Sequence, residues 1–150
     1  MRYSERLTVP WRWWVVLVFF LASLWVAYAA WLGPGVALLV TGAAALITAG
    51  VLVGYGSARI WVADGVLEAG RAAIPLSAVG TVRALTAEEA RELRGPKADP
   101  RAYLLLRGYL PRAVYVEVAD PADPTPYWYV STRRPDELAA ALNSAKAHAR

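Results

Sequence analysis

Apolar positions run without a charged interruption from residue 13 to residue 58, and from Arg59 onward they become short and alternating. The first pattern predicts helices and the second predicts strands, because an apolar period of two lines one face of a pleated strand. The uncharged run divides at Gly33-Pro34-Gly35 into segments 13–31 and 36–55. Nineteen residues in a helix cover ~28 Å, about one hydrocarbon thickness. Glycine and proline between them end a helix and reverse the chain, so two antiparallel membrane spans are expected. Residues 1–12 read as a polar lead, 13–58 as the hairpin, and 59–150 as a separate domain of strands and a closing helix.

Aromatic residues sharpen the membrane reading. Trp11, Trp13 and Trp14 stand at the mouth of the first span and Trp31 at its far end. Indole rings favour the headgroup zone, where the N–H stays hydrated, so these four are the expected interface residues. Ala27-Tyr28-Ala29 has the form of a signal-peptidase site, but the length of the run and its passage into a tight turn argue against cleavage. Small residues Ala37, Thr41, Ala45 and Ala49 recur every fourth position, and Gly50 and Gly54 form a GxxxG. Such faces let helices approach closely, within the hairpin or, through Gly50 and Gly54, in a homo-oligomer. The hairpin itself is the favoured place for that contact.

The net charge of +4 adds topology rather than a ligand. Arg2, Arg6 and Arg12 precede the first span, Arg59 follows the second, and the turn between them is uncharged. The positive-inside bias then places both termini in the cytoplasm, in a multi-pass protein of the cell membrane. No basic run could track a phosphate backbone, so no nucleic-acid partner is expected.

Past Arg59, Asp64-Gly65 predicts a type I′ turn between strands 59–62 and 66–68. Further strands are expected at 73–76, 79–85, 103–107, 113–118 and 127–131, with Thr86-Ala87-Glu88-Glu89 as a capping box opening a short helix. Pro135, Asp136 and Glu137 open a final helix whose Leu138, Ala141 and Leu142 should dock on the sheet.

Together these segments predict an α+β membrane protein, with a small antiparallel sheet or barrel closed by a C-terminal helix. The stretches Trp61-Val62-Ala63-Asp64-Gly65-Val66-Leu67, Ile74-Pro75-Leu76-Ser77-Ala78-Val79 and Val130-Ser131-Thr132-Arg133-Arg134-Pro135-Asp136-Glu137-Leu138 resemble bacterial membrane-tethered PH-like domains. The Tyr3-Ser4-Glu5-Arg6-Leu7 segment, with Val9-Pro10-Trp11 and the hairpin, resembles an uncharacterised actinobacterial family of two-span membrane proteins, which implies no particular activity. Eukaryotic PH domains hold phosphoinositides on basic residues of an early strand–strand loop. Here the corresponding turn offers Arg71 alone between Gly70 and Ala72, so that binding is not carried over.

Chemistry is sparse. Cysteine is absent, and the sole histidine, His148, reads as part of a solvated tail. Glu88, Glu89 and Glu92 alternate with Arg91 and Arg94 and read as a solvated helix face. No nucleophile, metal or phosphate-loop motif occurs, so neither catalysis nor a cofactor is expected. Candidate contacts for lipid or a partner are Arg91, Arg94, Lys97 and Arg101 around one loop, and Arg133-Arg134 before the last helix. The sequence thus predicts a non-catalytic adaptor or scaffold, held in the bilayer and binding a protein partner by an edge strand or helix-side groove. The alternative is an accessory protein that reads anionic headgroups through residues 91–101.

Overall fold

The computed structural model describes residues 3–148; Arg2, one of the predicted topology charges, lies outside them. Two units separate: Thr8–Ser57, and the described parts of Met1–Leu7 and Ala58–Arg150.

The first unit is a pair of packed helices, α1 (Trp11–Leu32) and α2 (Pro34–Tyr55). Each is long and apolar enough to cross a membrane. Both exceed the predicted segments, because the reversal needs one residue only. Gly33 takes φ +81, and Pro34 starts α2 where a backbone N–H would have no partner anyway. Trp14, Leu17, Leu21 and Leu24 make the half-buried face of α1, at helical spacing. On α2 the inward face is the small-residue stripe, with Ala37 and Thr41 buried and Ala45 and Ala49 half-buried. Large side chains meeting a small-residue face let two helices pack closely. Elsewhere the pair is bare: Trp31, Leu46, Leu39, Phe19 and Ile47 are each at least 70% exposed.

The second unit contains two four-stranded sheets. Sheet A runs β1 (Tyr3–Arg6), β2 (Arg59–Ala63), β3 (Val66–Ala69), β4 (Ala72–Pro75), all antiparallel. Asp64 and Gly65 turn β2 into β3 with φ +53 and +77, as a type I′ turn requires. A 3-10 turn, Leu76–Ala78, leads to sheet B, whose order is β5 (Val79–Leu85), β7 (Ala113–Val118), β8 (Tyr127–Ser131), β6 (Tyr103–Leu105). Two expectations fail here. Residues 3–6 are an edge strand rather than a polar lead, because Tyr3, Glu5 and Leu7 alternate inward with Ser4 and Arg6 outward. The sheets do not close into a barrel, and β6 joins β8 in parallel, reached by α3 (Ala87–Leu93) and a loop rather than by a hairpin.

The main core lies between the inner faces of the sheets and α4 (Pro135–His148), with Leu7, Ile60, Val62, Leu67, Val114, Val116, Val130, Leu138 and Leu142 all buried. Strand β8 is buried on both faces. Trp128 and Val130 point into this core, while Tyr127 and Tyr129 join Leu85, Ala90 and Ala113 beneath α3. The capping box that starts α3 is complete: Glu89 N donates to Thr86 Oγ1 at 3.3 Å and Thr86 N to Glu89 Oε2 at 2.9 Å. A register shift between Val79 and Val82 is held from two sides. Glu117 accepts from Thr81 N at 2.8 Å, and Lys146 of α4 donates to the Gly80 carbonyl.

Because β1 completes sheet A, a fragment beginning at residue 58 lacks part of its own core. Burying Leu7 and Tyr3 is worth about 3 kcal/mol or more. A chain in which a short Gly/Ser linker replaces residues 8–57 is therefore expected to melt cooperatively as a soluble domain. The 58–150 fragment should melt several degrees lower or fail to fold, as thermal denaturation followed by circular dichroism would show.

Candidate functional site

Two places in the second unit bring polar groups together. The first is a buried clasp around Glu5, which the alternation of β1 turns inward to 5% exposure. Its Oε2 accepts from Tyr3 Oη at 2.9 Å and from Thr132 Oγ1, and its Oε1 accepts from Arg133 N at 3.0 Å. Thr132 Oγ1 in turn accepts from Arg134 N at 3.0 Å. The carboxylate therefore lies just ahead of α4, where the helix dipole favours negative charge. Burial pushes the Tyr3 hydroxyl up to about 12; the bond to Thr132 works against that rise, and the Glu5 charge adds to it. The clasp is closed and fully hydrogen-bonded, which is the geometry of a fastener rather than of a reacting centre.

The second place is a cleft of about 570 Å³ between the β2–β3 turn and the C-terminal end of α4. Ala63, Leu76 and Ala145 supply its apolar wall, and Asp64, Ser144 and His148 its polar rim. His148 Nδ1 lies 2.7 Å from the Ser144 carbonyl oxygen, so the residue expected in a loose tail belongs to the rim of this cleft. Asp64 supplies a carboxylate to the lining, and the last turn of α4 brings Lys146 and His148. No signal in the sequence joins residue 64 to residue 148; only the docking of α4 does.

The predicted basic residues are dispersed. Lys97 pairs with Glu92 at 2.5 Å and Arg101 with Asp99 at 3.0 Å. The Arg101 guanidinium holds the Asp99 carboxyl below its usual range. Arg94 is half-buried near Tyr129, whose hydroxyl burial pushes up and the Arg94 charge draws down. Arg91 is exposed on α3. Arg134 pairs with Glu137 at 3.1 Å, and Arg133 Nη1 donates to the Arg6 carbonyl at 3.0 Å, which ties β1 to the start of α4. In the helical unit, Trp11, Trp13 and Trp31 are exposed at opposite ends of α1, while Trp14 turns inward. Gly50 and Gly54 face open space: a Cβ added at either meets nothing within 4 Å. The GxxxG is therefore not the hairpin's internal contact, which falls to the alanine stripe instead.

Residues 2–142 match the family described as protein of unknown function (DUF3093). The chain belongs to that family. Comparison with curated proteins and with solved structures finds no match. For this DUF3093 protein the match spans the helices, both sheets and the first half of α4.

Two variants test the clasp. Glu5→Gln would deprive the Arg133 amide and Thr132 hydroxyl of a charged acceptor and should lower stability by about 1–3 kcal/mol in denaturant titrations. The raised Tyr3 pKa stabilises the fold fully below the ordinary tyrosine value of about 10, and that contribution is lost as pH rises towards about 12. Tyr3→Phe should therefore flatten the loss of stability between those pH values, measured against the wild-type chain.

Proposed function

We propose that this protein is a membrane-anchored, cytoplasm-facing adaptor of PH-like kind, in which the hairpin supplies location and the domain supplies a binding surface. The observation that carries the reading is the division of labour between the units. The helices expose large apolar side chains on nearly every outward position, whereas the domain has a complete core of its own. A continuous apolar surface of that length is stable against lipid and unstable in water. Two sheets packed about a core, with one helix after the last strand, support the PH-like assignment.

The partner site in this reading is the cleft at Asp64, Ser144 and His148. It is concave and mixed in polarity, and its Asp64 carboxylate suits a protein segment presenting a basic residue beside a small apolar one. It also lies at the end of β2 opposite Arg59, where the chain arrives from the helical unit. Tethering raises the local concentration of membrane partners, so a shallow site suffices. Headgroup reading by residues 91–101 has less support, since two of its four cations are already paired with carboxylates.

The chain has no cysteine, so a single introduced thiol reports one place. In intact cells the Ser144→Cys thiol should be modified by permeant but not impermeant reagents, and in native membranes the same thiol, once it carries a photocrosslinker, should crosslink to one protein in stoichiometric yield. Asp64→Lys should abolish that product. Labelling by impermeant reagent in intact cells, or a product unaffected by Asp64→Lys, would overturn the reading.

A further inference from the structure

Sheet A carries an unbalanced end. Arg6 and Arg59 are directly opposed across the β1–β2 ladder, and both are exposed. Residues opposed in an antiparallel pair project from the same face, with Cβ atoms about 5 Å apart. Gly70 N donates to the Arg59 carbonyl at 2.9 Å, and exposed Arg71 follows in the β3–β4 turn. Among the described residues, none of these three arginines makes an ion pair. Glu68, diagonal to Arg59 on the same face, does not reach it, and Glu5 points inward into its clasp. The adjacent row holds Trp61, opposite Ser4 and Glu68 and 44% exposed.

Like charges directly opposed across a ladder are destabilising, and among the described residues neither arginine of this pair has an ion-pair partner. Protection of an edge strand by charge accounts for Arg6 but not for Arg59, which lies on the inner strand β2. An anion between the two guanidiniums removes the repulsion. The covalent path restricts where that anion comes from. Arg6 is two residues before Thr8, where the helical unit begins, and Arg59 two after Ser57, where it ends. At no more than about 3.6 Å per residue, both α-carbons lie within ~7 Å of the unit that carries the apolar helices.

We infer that Arg6 and Arg59 form a clamp for the phosphate of an anionic phospholipid, and that Trp61 occupies the headgroup zone next to it. The occupant is a lipid rather than a free ion because the exposed indole adjoins the arginine row and because the row adjoins the chain's entry into the helices. Guanidinium groups bind phosphate oxygens in a fork, and an indole is stable at the depth where those phosphates lie. The clamp rests on the membrane-anchor reading above.

The test uses the full chain, purified in neutral detergent and titrated with phosphatidylglycerol against phosphatidylcholine, with bound lipid counted by native mass spectrometry. Wild-type protein should retain phosphatidylglycerol preferentially, and added salt should weaken it. Affinity should fall about fivefold for each arginine removed in Arg6→Gln and Arg59→Gln. Lys97→Gln with Arg101→Gln should leave it unchanged. In lipid-free detergent the single variants Arg6→Gln and Arg59→Gln should melt no lower than wild type, because each removes a like-charge contact, and this shows that lipid loss is not misfolding. Equal retention by wild type and the double arginine variant overturns the clamp, as does occupancy by inorganic phosphate with no lipid preference. Alkaline carbonate extraction of the starting membranes separates the two readings. A chain that stays with the membrane while the variants change nothing sinks the clamp alone. A chain released by carbonate sinks the anchor, and the clamp with it.

Discussion

The pairing of β1 with β2 is the contact on which the rest of this structure depends. Four residues before the helices align with the first residues after them, in the register Tyr3 with Val62 through Arg6 with Arg59. The ladder continues as Leu7 N donates to the Ala58 carbonyl at 3.0 Å. The helical hairpin is thus an insertion between two neighbouring strands of one sheet. Closing a loop of that length from a flexible chain costs conformational entropy. Two antiparallel helices lower that cost, since packed helices bring their outer ends to within about 10 Å of each other. The connectors can then be as short as Thr8-Val9-Pro10 and Gly56-Ser57.

From that pairing follow three properties of the domain. Tyr3 and Leu7 enter the main core, so the segment that carries them is structural. Glu5 is carried inward to meet Thr132 and the amide of Arg133, which fastens the start of α4 to the sheet's edge. Arg6 is set opposite Arg59, which concentrates positive charge at the end of the sheet from which the helices depart. Beyond the other end of β2, Asp64 joins the C-terminal end of α4 in the cleft.

This arrangement also accounts for what the sheets do not do. β4 ends at Pro75, which cannot extend a ladder by its missing N–H, and a 3-10 turn carries the chain to the second sheet. β6 is three residues long and lies parallel to β8 at an edge, a position where a strand has one partner only. The two sheets face each other across a core but keep separate edges.

Much of this was legible in the sequence because it depends on local order. The apolar runs, the Gly33-Pro34 reversal, the Asp64-Gly65 turn, the Thr86 to Glu89 capping box and the helix opening at Pro135 are each fixed by residues within a few positions of one another. Contacts between distant residues were not legible. Tyr3-Ser4-Glu5-Arg6 has the composition of a solvated lead, and only its pairing with β2 makes Glu5 a buried acceptor and Arg6 half of a charged pair. Gly50 and Gly54 form a packing motif by spacing, yet the rotation of α2 turns them outward and gives the contact to Ala37 and Thr41. His148 ends a helix whose last turn faces nothing in the sequence, and docking places it across from Asp64. Sequence alone determined the elements, because backbone preference and hydrophobic period act over a few residues. The tertiary structure alone decided which side chains meet, because burial and strand register join positions more than a hundred residues apart.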